Sequence, residues 1–370
     1  MFFILKNILV FFGGESIEHE ISCITGVLTL NSVDKSTYIP IPVYVDVNGE
    51  WWTGENLFDV EFYKKVDYKK LDRVTLFSGE NLLYKVKGKK VKPMLSVSLA
   101  INCLHGERGE DGCLFGMLKM CKIPVLGSPL FASSLAMNKS YTKLALKGLR
   151  VKTLPYLLAT DKDCAKEIQR KLKYPLIIKP DSGGSSIGIS TANNLNDLQH
   201  ALVVALRYGK TAIIEPKLTD FTEINCACFF ADGKLVVSEC ERPVSRGDVL
   251  SFNDKYKSGE RIFPADIDKV LSDKIKDITA KVYLNLGFSG IIRVDYLVSK
   301  GEVYLNEINS VPGSLSYYLF CKTTKEWGGV LNKLIAVALN EYARDLTVSR
   351  KFNSGILSLT GSKGAKRLKK

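Results

Sequence analysis

Gly290-Ile-Ile-Arg293-Val-Asp295 and, further on, Asn306-Glu307-Ile-Asn309 are the stretches whose reading decides the fold. A strand alternates its side chains between two faces, so Arg293 and Asp295 share one face, and so do Glu307 and Asn309. A hairpin between the two stretches would bring Asp295, Glu307 and Asn309 together. Two carboxylates and an amide oxygen are hard ligands, suited to Mg²⁺ bridging nucleotide phosphates. Arg293 beside them would neutralise charge that develops during phosphoryl transfer. The bland rival for these residues alone is a surface hairpin closed by a salt bridge.

Upstream, Lys179-Pro-Asp-Ser-Gly-Gly-Ser-Ser-Ile-Gly188 follows the apolar strand Leu176–Lys179. Its glycines let backbone N–H groups wrap phosphate oxygens, Ser185 and Ser186 add donors, and Lys179 reaches a phosphate as a point charge. The pattern is not the Walker loop, and many such loops are plain turns. In the first third, Ile8–Phe12, Tyr38–Val45, Leu99–Cys103 and a short segment ending at Val125 read as strands. A helix over Ser22–Asn31 and another from Asp111 complete a βαβ rhythm, which predicts a parallel sheet. Asp46–Lys92 reads as a surface insertion with a hairpin around Gly88. Helices are expected from Lys139 to Gly148, Lys162 to Lys173, Ile267 to Leu286 and Val330 to Tyr342. Further strands are expected at Ala212–Glu215, Ile224–Phe230, Lys234–Cys240, Gly290–Val298 and Val303–Leu305. The domains expected are 1–138, 139–214 and 215–370.

The 370 residues are 46% hydrophobic and 25% charged, with 17 Phe and 16 Tyr, so the chain is globular and long enough for several cores. The nine cysteines include no C-x-x-C pair, and with three histidines a zinc site is poorly supported. They read as reduced thiols packed like small apolar residues. The apolar N-terminus is broken by Lys6 and Asn7 and ends in Gly13-Gly14, which suits a buried strand rather than a signal peptide. No apolar run is long enough to span a bilayer, and a soluble cytoplasmic protein is expected. The net charge of +13 includes Lys363, Lys366, Arg367, Lys369 and Lys370 at the terminus. That run reads as a solvated end; nucleic-acid binding is the sharper alternative, but no RNA motif or zinc finger accompanies it.

Taken together, these residues resemble an ATP-grasp site, and four further segments resemble the D-alanine–D-alanine ligases of that superfamily. They are Phe12–Ser22 (FGGESIEHEIS), Leu104–Gly112 (LHGERGEDG), Ala136–Lys139 with Thr142-Lys143, and Asp254-Lys255-Tyr256. They occur in family order from residue 8 to about residue 320. The resemblance implies a three-domain α/β ATP-grasp enzyme with an N-terminal parallel-sheet domain. It would join D-alanine to D-alanine through an acylphosphate, using ATP and two Mg²⁺ ions (or Mn²⁺), for peptidoglycan precursor synthesis and so cell-wall biogenesis and cell shape. The family also suggests a homodimer; small amino-acid substrates are the expected partners, and no nucleic-acid or membrane partner is expected.

Position by position, the resemblance implies that Lys139 and Lys179 hold ATP phosphates, Glu215 and Leu218 lie at the adenine, and Glu223 takes the ribose hydroxyls. Asp295, Glu307 and Asn309 would hold the metal ions. Glu18 would meet the first substrate's ammonium with His105 nearby, and Ser185 and Tyr256 would hydrogen-bond with Glu18. Arg293 and the Gly313 N–H would stabilise the oxyanion, and Lys255 would reach the γ-phosphate as a lid over Arg246–Gly259 closes. Glu18 has a rival reading as a helix cap, and His105 and Ser185 as ordinary turn residues. The sequence departs from the family after Asn309: the serine expected to bind the second substrate's carboxylate aligns with Tyr318, leaving Ser314, Ser316 or the Tyr318 phenol as substitutes. Pro216 stands where a nucleotide-contacting lysine is common. D-Serine, D-lactate or another amine is therefore an open alternative acceptor, and a non-catalytic nucleotide-binding protein is a rival class.

Overall fold

Five consecutive apolar residues, Ile8 to Phe12, have no side chain exposed, which is the signature of a strand covered on both faces. They form the middle of β1 (Lys6–Gly13) in a computed structural model that describes residues 5–244 and 260–355. Helix α1 (His19–Ser32) leads to β2 (Tyr38–Val45), which lies parallel to β1. The segment expected as an insertion instead extends the same sheet. Strands β3 (Trp51–Thr53), β4 (Asp72–Leu76), β5 (Leu82–Lys87) and β6 (Lys90–Ser96) pair antiparallel in turn, with β5 and β6 joined by the hairpin at Gly88. Strand β7 (Leu99–Asn102) pairs parallel to β1, and β8 (Val125–Leu126) parallel to β7. The eight-stranded order is β6-β5-β4-β3-β2-β1-β7-β8, so the expected parallel sheet is its β2-β1-β7-β8 half. The correction has a physical reason: Val74 and Leu83 are buried in one cluster with Val43 and Val45, and alternating apolar side chains recruit these strands to the core.

Two glycines let α1 dock on β1. Gly13 has φ +90° and a Cβ there would lie 2.2 Å from the Val45 carbonyl oxygen. A Cβ on Gly26 would lie 2.2 Å from Phe12 Cγ.

After α2 (Cys113–Met120) and α3 (Leu130–Met137), helix α4 (Lys139–Gly148) starts at Asn138, whose side chain accepts the Tyr141 N–H, a standard N-cap. A second sheet follows, built from β9 (Leu157–Ala159), β10 (Leu176–Pro180), β11 (Ser190–Ala192) and β12 (Ala212–Pro216) with α5 (Ala165–Lys171) and α6 (Leu195–Ala205). Its order is β11-β10-β12-β9, and it has its own apolar core.

The third sheet contains β13 (Thr222–Ala231) and β14 (Lys234–Val237). A two-stranded ribbon, β15 (Arg242–Pro243) and β16 (Arg261–Ile262), and helix α7 (Lys269–Asn285) precede β17 (Ile291–Ser299) and β18 (Glu302–Asn309). The order is β14-β13-β17-β18. The final helix α8 (Thr324–Thr347) is much longer than its apolar stripe indicated. It begins where the Thr323 side chain accepts the Glu326 N–H and Glu326 accepts the Lys322 N–H, close to a capping box. Trp327, Leu331, Leu334 and Ile335 of α8 share one core with Phe12 and Leu30, so the end of the chain packs on the first sheet.

All nine cysteines are free thiols, and Cys226 and Cys228 enter the same core cluster from one face of β13. Among the described residues no helix is long and apolar enough to cross a membrane. Lys255, Tyr256, the expected lid and the basic residues from 363 to 370 lie outside the described residues.

Candidate active site

The hairpin read from the sequence forms: β17 and β18 pair antiparallel, with Arg293 opposite Asn309 and Asp295 opposite Glu307. The register then shifts, so that Tyr296 faces Leu305 and Asn306 is the extra residue of a bulge. Bulges of this kind re-aim a side chain and often sit beside sites. Here Asn306 Oδ1 accepts a hydrogen bond from Lys179 Nζ at 3.1 Å, tying β18 to the second sheet. Arg293 forks onto Asp295, with Nε 2.7 Å from Oδ1 and Nη2 2.9 Å from Oδ2. Asn309 Nδ2 donates to Asp295 Oδ2 at 3.1 Å. Burial opposes the Arg293 charge, but the Asp295 carboxylate outweighs it and keeps the guanidinium firmly protonated.

The glycine and serine turn after β10 closes on two charged side chains. Lys139 Nζ donates to the Gly183 carbonyl at 2.6 Å. Ser185, in the left-handed region at φ 51°, donates through Oγ to Glu18 Oε1. Glu18 occupies the N-cap position of α1 but makes no capping hydrogen bond with its side chain; its carboxylate turns into the site instead. Lys139 is buried, which lowers its pKa against the opposing charge of Glu307.

Glu215, the last residue but one of β12, has its carboxylate between two lysines. Lys143 Nζ lies 2.6 Å from Oε1 and Lys179 Nζ lies 2.8 Å from Oε2. Burial raises the Glu215 pKa, but the charges and hydrogen bonds of Lys179 and Lys143 prevail and hold it below the usual range. The side chain thus fixes Lys179, and what remains at the strand end for a ligand is backbone.

Two cavities meet at these residues. One is a narrow cleft of about 90 Å³ between the second and third sheets. Ile177, Ile189, Phe221 and Leu297 give it apolar walls, and Lys139, Lys179, Ser186, Leu218 and Glu223 are also in its lining. An apolar slot for a base, with cations at one end for phosphates, is what these walls can offer. The larger cavity, about 370 Å³, runs on past Glu223 and Glu307 to Glu18, Ser185, Arg293, Asp295, Asn309, Gly313, Ser314 and Tyr318.

Two expected residues are not brought to its surface. His105 is 4% exposed and lines none of these cavities. Its Nε2 is 2.9 Å from Thr25 Oγ1, and Thr25 Oγ1 accepts the Ser314 N–H at 2.9 Å. Burial, then the Arg293 charge, pushes the imidazole down to about 4, so it is neutral and supports the turn after Pro312 from beneath. Ser316 is fully buried and likewise lines none of the cavities. The run Ser314, Leu315, Ser316 has φ near 50° throughout, and this left-handed turn leaves only Ser314 of the two serines at the cavity.

Several site residues went unread in the sequence. Glu110 accepts the Gly106 and Val311 N–H groups. It is pushed up to about 8 by burial and by the nearby charges of Glu18 and Glu307. It stood inside the quoted segment Leu104–Gly112, where three glycines and the two further acids Glu107 and Asp111 in a loop were the available signal. Asp181, which accepts from Asn138 Nδ2 and Ser140, fastens the start of α4 to the end of β10. Glu241 and Arg261 line the larger cavity and carried no local signal.

Among the described residues no three His, Cys, Asp or Glu side chains gather as a metal cluster. The candidate set is two carboxylates and the Asn309 amide, and oxygen donors facing a shared cavity fit a hard divalent ion.

Residues 7–128 match the family described as D-ala D-ala ligase N-terminus, and residues 148–340 the one described as D-ala D-ala ligase C-terminus. A D-alanine–D-alanine ligase of Thermosipho melanesiensis is 35% identical over 356 residues, which is 93% of this chain and 97% of that protein. The crystal structure of the D-alanine–D-alanine ligase from Helicobacter pylori superposes with a TM-score of 0.75 at 31% identity, covering 90% of this chain and 98% of its own. VanG D-Ala:D-Ser ligase from Enterococcus faecalis superposes with a TM-score of 0.75 at 26% identity, covering 92% and 100%.

Proposed function

Since the chain belongs to the D-alanine–D-alanine ligase family, we propose that its two cavities are the nucleotide cleft and the amino-acid chamber of an ATP-dependent ligase that forms D-alanyl-D-alanine for peptidoglycan precursors. The observation that carries the reading is the junction itself: the lysine-lined cleft opens onto the acidic hairpin, and the hairpin onto Glu18.

A carboxylate is a poor acyl donor because its leaving group would be oxide. Transfer of the ATP γ-phosphoryl group to the first D-alanine carboxylate gives an acylphosphate, whose leaving group is phosphate. The neutral amine of the second D-alanine attacks that carbonyl, and collapse of the tetrahedral adduct leaves the peptide bond and releases phosphate, which carries away the amine's proton. In this scheme Lys139 and Lys179 hold phosphates, with Ser186 adding a donor from the loop. Leu218 and the backbone at Glu215 meet the base, and Glu223 meets the ribose. Glu18, fixed by Ser185, takes the first ammonium. Arg293, with the Gly313 N–H, faces the oxyanion. Asp295, Glu307 and Asn309 would hold Mg²⁺, which when bound supplies charge neutralisation for the phosphates. Lys255 and Tyr256 keep the roles that the family resemblance gives them.

The domains are proposed as 1–138, 139–214 and 215–370, the active assembly as a homodimer, and the compartment as the cytoplasm. Tyr318 at the second-substrate position, together with the likeness to a D-Ala:D-Ser ligase, favours keeping D-serine as a second acceptor reading.

The test is phosphate release from Mg·ATP by purified protein over D-alanine, D-serine, D-lactate, glycine and L-amino acids, with products identified by mass. Release dependent on D-alanine and yielding its dipeptide is expected. Release only with a different acceptor renames the product, and ATP binding without turnover on any pair overturns the reading.

A further inference from the structure

The larger cavity is strongly acidic: Glu18, Glu223, Glu241, Glu260, Asp295 and Glu307 all line it. An acceptor amino acid must bring its own carboxylate into that field. Among the described lining residues the cations are Arg261 and Arg293, and Arg293 has two nitrogens committed to Asp295 at 2.7 and 2.9 Å. Arg261 is placed differently. Strand β16 pairs it with Pro243 of β15, and its guanidinium carbon lies 4.0 Å from the centroid of the Tyr318 ring. Its ion-pair contact is loose, with Nε 3.7 Å from Glu241 Oε1.

Stacking on a ring fixes the plane of a guanidinium while leaving its N–H groups pointing outward in that plane, which is the geometry a carboxylate fork requires. We propose that Arg261, held by stacking on Tyr318, is the anchor for the carboxylate of the acceptor amino acid. The inference rests on the ligase reading above and deepens it. In this chain the position where the family carries a serine supplies a platform for a charge rather than a hydroxyl donor. Tyr318 is then a positioning residue, and Arg261 the group that touches substrate.

The test is initial-rate kinetics over D-alanine with saturating Mg·ATP, resolving the donor and acceptor terms, repeated with D-alaninamide as the acceptor. Arg261→Gln is expected to raise the acceptor KM by at least about tenfold, since a charge-assisted contact is lost. The donor term and the KM for ATP should stay put. The preference for D-alanine over D-alaninamide as acceptor should fall in parallel, which a merely structural defect would not produce. Arg261→Lys retains the charge and should lose less; it also serves if the glutamine variant fails to fold. Tyr318→Phe retains the platform and should keep the acceptor KM, while Tyr318→Leu should raise it. Unchanged acceptor kinetics in Arg261→Gln overturn the proposal, as does a Tyr318→Phe variant that loses as much, which would make the phenol the anchor. Failure of the wild-type protein to form any dipeptide overturns the underlying ligase reading, and this inference with it.

Discussion

Glu215→Gln should be the most damaging single substitution at the site that removes no atom of bulk. The Glu215 side chain is 2% exposed, and those of Lys143 and Lys179 are 3% and 7% exposed, so solvent screens these charges poorly. At an effective dielectric near 20, a contact of this length represents about 6 kcal/mol of gross attraction. Desolvation of the three groups offsets most of that. What remains on removing one partner is the cost of an uncompensated buried charge, about 3–5 kcal/mol. Urea denaturation should therefore show a lower midpoint with an unchanged slope. Two further results are specific to the mechanism. Burial already lowers the Lys143 pKa, and without Glu215 it should fall further. A lysine whose folded pKa lies below its unfolded value destabilises the fold until pH rises through that folded pKa. The gap between variant and wild type should therefore narrow as pH rises from 7 towards 10. Adding Lys143→Met to Glu215→Gln should restore part of the loss, because an apolar side chain removes the orphaned charge. A Glu215→Gln protein within about 1 kcal/mol of wild type would fall below the range for breaking a buried pair and refute the argument. So would a double variant less stable than the single one.

Ser185→Ala removes the hydroxyl that donates to Glu18; a bond to a charged group of that kind predicts about a 10- to 100-fold loss in kcat/KM for D-alanine. A loss below threefold would mean that Glu18 is positioned by other groups. His105, pushed down to about 4, sits below its unfolded value, so its contribution is intact above pH 6.5 and is lost as pH falls from there to 4. That is about 3 kcal/mol at most by linkage, and acid denaturation of His105→Gln should be correspondingly flatter across that window. Gly26→Ala would ordinarily strengthen a helix by about 1 kcal/mol, but its Cβ meets the Phe12 ring at 2.2 Å. Overpacking should reverse the sign, to a loss of about 1–3 kcal/mol measurable as a drop in Tm.

The parts of this protein that could be read from sequence are those in which a local pattern and its consequence coincide. The alternation in Gly290–Asp295 and Asn306–Asn309 gave the paired faces, because a strand's period is a property of neighbouring residues. The step from there to geometry required the bulge at Asn306, and nothing in Asn-Glu-Ile-Asn distinguishes a bulged asparagine from a paired one. Residues 46–92 read as an insertion because the stretch is charged and Tyr-containing; the burial that recruits it falls on single residues such as Val74 and Leu83. Glu18 was legible as an acid before a helix, but only the structure separates a cap from a cavity-facing carboxylate. His105 and Ser316 entered the candidate site through the family resemblance, which carries position along the chain and not the direction of a side chain. A left-handed turn at Ser314–Ser316 sends adjacent side chains to different surroundings, and the sequence Ser-Leu-Ser has no glycine to announce it. Arg261 and Tyr318 meet across the fold, and no spacing rule connects them.

The distribution of apolar cores explains why the site lies where it does. Phe12 and Leu30 share one cluster with Phe229 and Ile291 of the third sheet and with the α8 side chains, so the first and third sheets are joined through hydrocarbon. The second sheet keeps its core to itself. Its contacts with the rest at the site are polar: Asp181 with Asn138 and Ser140, Lys179 with Asn306, and Ser185 with Glu18. Apolar packing is insensitive to what occupies a neighbouring cavity, whereas hydrogen bonds between charged groups exchange readily for bonds to phosphate or ammonium. Three of the groups proposed to bind the substrates, Lys179, Ser185 and Glu18, are thus also among the groups that dock the second sheet. Occupancy of the cleft should be felt first as a change in backbone amide exchange along β10 and the turn after it, and least in β1.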